Sequence, residues 1–203
     1  MIQTIIFDIG NVLAEFAWRQ YFQAYGYSAE VLKRIAAATV GSRLWGEYDR
    51  GVLSDEEMIE SFVQNDPGIE KELRESLKNV KGMVVRYEYA VPWVKELKER
   101  GYQVLVLSNF GRKAYEECKE ALDFMEYMDG GILSWQVKVI KPEPEIYQLL
   151  IEKYSLIPEN CVFLDDLEEN LEAARKFGIH TIHFKDREQA GKELNQLLES
   201  AAK

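Results

Sequence analysis

Ile5-Ile6-Phe7-Asp8-Ile9-Gly10-Asn11-Val12-Leu13 is the stretch that decides the reading of this chain. It begins as an apolar run of strand length, presents a carboxylate, and then turns at Gly10-Asn11. In an open α/β sheet the carboxyl ends of parallel strands border the crevice where ligands bind, so an acid placed there is placed for chemistry. Asp8 is therefore the leading candidate nucleophile. Taken alone, a strand followed by Asp and Gly-Asn is also an ordinary exit into a loop.

Three later segments carry matching chemistry. Val104-Leu105-Val106-Leu107 runs into Ser108-Asn109, a loop carries Lys141-Pro142, and Val162-Phe163-Leu164 runs into Asp165-Asp166. This ordered set resembles the haloacid dehalogenase superfamily of phosphotransferases and hydrolases. The motifs of that family are a nucleophilic Asp, a Ser or Thr, a Lys and an acidic pair. The resemblance covers nearly the whole chain, and residue types, order, spacing and the apolar runs agree together. It implies an α/β fold, with a Rossmann-like parallel sheet flanked by helices and an inserted helical cap over the site.

Composition is compatible with that reading. A chain of 203 residues that is 47% hydrophobic can bury a sizeable core. Its 35 acidic against 25 basic residues give a net charge of −10, which disfavours nucleic acid and anionic membrane as partners. The two cysteines, Cys118 and Cys161, form no ligand motif and read as small apolar filler in a reducing compartment. The first apolar run lacks a basic leader and is broken by Asp8, and no apolar stretch is long enough to span a bilayer. The expectation is a cytoplasmic protein, a monomer or weak homo-oligomer, acting on a small molecule.

Between Glu15 and about Ala90 the period changes from strand to helix, with Phe16, Tyr21, Phe22 and Tyr25, then Val31, Leu32 and Ile35, at helical spacing. Ser54-Asp55-Glu56-Glu57 before Met58, Ile59 and Phe62 reads as a capping box, and Asp66-Pro67-Gly68 as a break. Residues 15–90 are assigned as the cap, residues 1–14 and 91–203 as the core. From Val91 onward strands and helices alternate, which means a parallel sheet. His180 and His183 lie three apart on a predicted strand and so point to opposite faces, which argues against a shared metal site.

The resemblance also implies roles. A carboxylate attacks phosphorus only when the charge of both partners is offset, which calls for a divalent cation and cationic help. Asp8 would form an aspartyl-phosphate, which water then hydrolyses. Asp8, the Gly10 main-chain oxygen and Asp166 would hold Mg²⁺, a hard cation that prefers oxygen. Asp165 and Asn170 would support the metal site, Asn170 lying one helical turn beyond Asp166. For Asn170 the alternative is an exposed helix residue. Ser108 and Asn109 would donate to the phosphoryl oxygens, and Lys141 would offset charge on Asp8 and the phosphate. For Ser108 the alternative is a helix cap.

One position departs from the common pattern. Phosphatases of this superfamily usually carry a second Asp two residues after the nucleophile, as acid and then base. Here that residue is Gly10. The Asp-x-Gly-Asn-Val form, with Ser-Asn and Asp-Asp-x-x-x-Asn, is similar to bacterial sugar-1-phosphate phosphatases, whose leaving group departs more easily. Trp45-Gly46-Glu47-Tyr48-Asp49-Arg50-Gly51 is either where a sugar is contacted or part of the cap's own core. Two rival functions remain: a metal-free 2-haloacid dehalogenase, against which Asp165-Asp166 argues, and a non-catalytic phospholigand-binding module.

Overall fold

The computed structural model describes residues 1–200. In chain order the elements are β1 (Thr4–Phe7), β2 (Ala14–Phe16), α1 (Trp18–Gln23), α2 (Ala29–Ala38), α3 (Leu44–Arg50), α4 (Asp55–Asn65), α5 (Glu70–Leu77) and β3 (Val84–Arg86). Then follow α6 (Ala90–Glu99), β4 (Gln103–Ser108), α7 (Arg112–Glu117), β5 (Gly130–Leu133), α8 (Ser134–Val137) and α9 (Pro144–Tyr154). The last are β6 (Cys161–Asp165), α10 (Glu168–Arg175), β7 (His180–His183) and α11 (Arg187–Ser200).

Five strands form one parallel sheet in the order β5-β4-β1-β6-β7. Successive side chains of a strand point to opposite faces, and here both faces are apolar because helices cover both. Ile5 and Phe7, Val104 and Val106, Val162 and Leu164 belong to one core; Ile6, Leu105, Leu107 and Phe163 belong to the other. Phe7 packs edge-on against Trp93 of α6, ring centroids 4.8 Å apart. Continuous apolar strands with no polar alternation follow from that double burial.

The chain leaves β1 toward β4 and β5 on one side, then crosses to β6 and β7 on the other. The switch point of the sheet therefore lies at β1. Phe7 is level with both Val106 and Leu164, so Asp8, Ser108 and Asp165 emerge at one edge of the sheet.

Helices α1 to α5 lie between β2 and β3, which pair antiparallel with Ala14 opposite Arg86. These two strands are three residues each, and helical periodicity from Glu15 onward gives no sign of them. Ser54 caps α4 as its sequence requires: its hydroxyl accepts from the Glu57 amide while the Glu57 carboxylate accepts from the Ser54 amide. Between α7 and β5 the chain is not one continuous helix. α7 stops at Glu117, and a 3₁₀ segment, Lys119–Tyr127, continues with a break at Leu122. Cys118 and Cys161 are buried and unpaired, as apolar filler should be. Among the described residues, no helix is long and apolar enough to cross a membrane.

Candidate active site

At the switch point a cavity of about 250 Å³ opens, bordered by Asp8, Gly10, Asn109, Lys141, Asp166 and Asn170. Ser108 and Asp165 are fully buried, just behind this wall. All eight residues singled out from the sequence thus converge on one place, although they come from four separate segments.

Lys141 is the hub. Its ammonium lies 2.9 Å from Asp8 Oδ1 and 2.6 Å from Asp165 Oδ2, with only 1% of the side chain exposed. A lysine carried on a loop would be imprecise unless something held it, and Asn109 does so. The Asn109 side-chain amide donates to the Lys141 carbonyl at 2.9 Å, while its Oδ1 accepts from the Lys141 amide at 2.7 Å. This reciprocal pair joins the end of β4 to the loop before α9. It also leaves Asn109 only its main chain for a phosphate oxygen.

Asp165 is held on every side. Its carboxylate accepts from Lys141 and from the Leu167 amide at 2.8 Å, and both of its oxygens accept from Asn170 Nδ2 at 3.0 Å. Asn170 therefore turns to Asp165 rather than to Asp166, because the start of α10 folds back over the end of β6. It is buried, so the alternative of an exposed helix residue does not hold. Asp166 stands apart, half-buried, and Asn11 Nδ2 donates to its Oδ2 at 2.9 Å. Asn11 adopts the left-handed conformation (φ 57°), which lets its side chain reach across to the β6 end while its Oδ1 accepts from the Phe16 amide. From the sequence Asn11 reads only as a turn former. His183 steadies the same turn from β7, its Nε2 3.0 Å from the Asp166 carbonyl.

The electrostatics follow from one buried ammonium between Asp8 and Asp165, with a third carboxylate, Asp166, close by. Burial raises the Asp8 carboxyl above the usual range, Lys141 opposes that, and the charge on Asp165 adds to the rise; the Ser108 hydroxyl lowers it. Burial likewise raises Asp166 against the hydrogen bond from Asn11. Burial alone would depress Lys141, but the charges of Asp165 and Asp8 outweigh it and hold the ammonium firmly protonated.

One further cation would complete the cluster. Oxygens of Asp8, Asp165 and Asp166 all lie within 4.8 Å of one another. Asp165 is saturated by its partners, whereas buried Asp8 Oδ1 receives no directed hydrogen bond despite the nearby ammonium. The donor set is all oxygen, which suits a hard divalent ion.

Part of the wall comes from α3, where Trp45, Tyr48 and Asp49 border the cavity together with Phe16, Val84 and Phe110. Within residues 45–51, Trp45 packs on Phe16 and Phe62, while Asp49 borders the same cavity as Asp8. Glu47 of the same stretch accepts from Arg50. Tyr48 lies so close over Gly111 that a Cβ there would collide with its ring.

The chain is similar to several known proteins. The family described as haloacid dehalogenase-like hydrolase matches residues 2–178. A phosphorylated carbohydrates phosphatase of Thermotoga maritima is 30% identical over 190 residues, covering 90% of this chain and 84% of that protein. Acyl-CoA dehydrogenase family member 10 of Mus musculus is 29% identical over 97% of this chain, which spans only 19% of the mouse protein. A HAD family enzyme of Bacteroides thetaiotaomicron, solved with magnesium and inorganic phosphate, superposes with a TM-score of 0.70 at 22% identity, covering 91% of this chain and 95% of that one. Fold, order of site residues and family match coincide, and the chain belongs to the haloacid dehalogenase-like hydrolases.

Proposed function

We propose that the protein is a Mg²⁺-dependent phosphatase of small phosphomonoesters, sugar phosphates among them, working through an aspartyl-phosphate on Asp8. The observation that carries this reading is the pairing of Lys141 with both Asp8 and Asp165, next to an Asp166 that is free of Lys141. A carboxylate nucleophile needs its charge offset without being silenced, and a shared, fully buried ammonium does that. The kinship with a carbohydrate phosphatase of which this chain covers 84% supports the substrate class.

In this mechanism Asp8 attacks phosphorus in line with the departing oxygen. Lys141 balances charge on Asp8 and on the phosphoryl group, Asn109 keeps Lys141 in register, and Asp165 orients the ammonium. The buried Ser108 hydroxyl sits by Asp8 and steadies its carboxylate. A Mg²⁺ held by Asp8, Asp166 and the Gly10 main-chain oxygen would neutralise charge on nucleophile and phosphate together. Helices of residues 15–90 act as the cap that keeps water away from the acyl phosphate until the alcohol has left.

The cavity walls from Phe16, Trp45, Tyr48 and Phe110 favour a leaving group with an apolar face, such as one side of a sugar ring or an aromatic alcohol. The deciding experiment is phosphate release with Mg²⁺ from a panel of sugar-1-phosphates, sugar-6-phosphates, nucleotides and aryl phosphates, with Asp8→Asn as control. Release abolished by Asp8→Asn and by chelation is expected. Tight phosphate binding without turnover would favour a binding module, and chloride release from 2-haloacids without metal would favour a dehalogenase.

A further inference from the structure

The cavity contains a carboxylate to which the four segments give no task. Asp49 borders the same space as Asp8 but comes from α3, outside the sheet. Its place is set by the core through three ties. Ser134 Oγ donates to the Asp49 carbonyl at 2.6 Å, Arg50 donates to Glu143 at 2.8 and 2.6 Å, and the Lys138 ammonium donates to the Gly51 carbonyl. These ties hold the backbone of residues 49–51 against the core.

Among the described residues Asp49 forms no ion pair. On α3 itself, Glu47 and Arg50 bond to each other, and Arg50 bonds onward to Glu143. Asp8 from the end of β1, Lys141 from the loop before α9 and the Gly111 amide before α7 are the groups that face it. Burial and the charge of Asp8 push its carboxyl up to about 8, with the Gly111 amide and Lys141 opposing. Position 10, meanwhile, offers no acid, and a Cβ built on Gly10 meets nothing within 4 Å. Position 10 has room for an acid and carries none; α3 brings one to the same cavity in Asp49.

Resting on the phosphatase reading above, we propose that Asp49 is the catalytic acid and base, protonating the leaving-group oxygen and then accepting a proton from the attacking water. In the first half-reaction an Asp8 oxygen bonds to phosphorus, the ester P–O bond breaks, and the Asp49 proton passes to the departing oxygen, releasing a neutral alcohol. In the second, water bonds to phosphorus, its proton passes to the Asp49 carboxylate, and the acyl-phosphate bond breaks to return Asp8 and inorganic phosphate. Asp49 ends as it began.

The test compares two esters of similar size whose leaving groups differ in their need for a proton, benzyl phosphate and 4-nitrophenyl phosphate, in single-turnover experiments with Mg²⁺. In Asp49→Asn, benzyl alcohol release should fall by about 10²–10⁴-fold, while 4-nitrophenolate release falls by no more than about tenfold. Asp49→Ser should give the same split, and melting of both variants no lower than that of the wild type at the assay pH excludes a collapsed wall. Adding Gly10→Asp to Asp49→Asn, in the space left open at Gly10, should recover benzyl phosphate turnover by at least about tenfold. Equal losses on both esters, or no loss on benzyl phosphate, would overturn the role of Asp49 and leave the phosphatase reading intact. Failure of the wild type to release either alcohol would overturn both.

Discussion

Arg50 and Glu143 form a two-pronged ion pair, with nitrogen–oxygen distances of 2.8 and 2.6 Å, between a helix outside the sheet and the residue two beyond Lys141. Glu143 also accepts from the Ile140 amide, so one carboxylate braces both sides of the lysine loop and α3. The pair is partly exposed, at 20% and 37% of the side chains, which screens it. Arg50→Ala should therefore cost roughly 1 kcal/mol of positioning, about fivefold in kcat/KM, with the loss shrinking at high salt, where the wild-type pair is itself screened. Steady-state kinetics across a salt series checks this; no change at any salt would show the brace to be idle.

Removing Lys141 should be far costlier. Lys141→Gln leaves Asp8 and Asp165 facing each other in a buried place with no cation, and breaking a buried pair in this way costs about 3–5 kcal/mol. The expected outcome is loss of turnover together with a large drop in melting temperature. Mg²⁺ should restore part of the stability and none of the activity. Calorimetry with and without Mg²⁺ separates the two effects.

Asn11 gives a sharper test of the metal site, because it touches Asp166 and none of the other acids. Residues that orient a ligand typically change metal affinity by about 10–100-fold. Asn11→Ala should raise the Mg²⁺ concentration for half-maximal activity by that range while leaving kcat at saturating metal close to wild type. Asp166→Asn should abolish the Mg²⁺-induced rise in melting temperature. An unchanged Mg²⁺ response in either variant would remove Asp166 from the metal.

The raised carboxyl of Asp49 also has a consequence for stability. Its folded value, about 8, lies above the ordinary 3.8, so the folded state holds its proton more tightly than the unfolded chain. The stability this contributes is complete below pH 4 and is lost as pH rises through about 8. Asp49→Asn carries no such loss. In metal-free buffer its melting temperature should gain on the wild type steadily from pH 4 to 8, and a pH-independent difference would refute the shift.

The acids and the serine of the site were legible because each is the first polar residue after an apolar strand, and register places Asp8, Ser108 and Asp165 at one edge. Lys141 has no strand before it; only its Lys-Pro context and its place in the order pointed to it. What stayed hidden depends on contacts between distant segments. β2 and β3 are too short to show a period, and they pair across the whole helical segment between them. Asn170 sits one turn beyond Asp166 in sequence, but the entry angle of α10 aims it at Asp165. The importance of Asp49 rests on where Ser134, Lys138 and Glu143 hold α3, which no local pattern encodes.

Trp45, Tyr48, Asp49 and Arg50 all belong to one seven-residue helix, α3. The aromatic wall that selects an alcohol, the carboxyl that faces its oxygen and the arginine that docks the helix are therefore inherited as a single block. Any drift in that block alters what is accepted and how fast it reacts at the same time, while the sheet edge goes on handling phosphate unchanged. Diversification in such a protein would come in jumps, by exchange of α3 as a unit, and a library that shuffles α3 alone would sample new esters more productively than one scattered around the cavity.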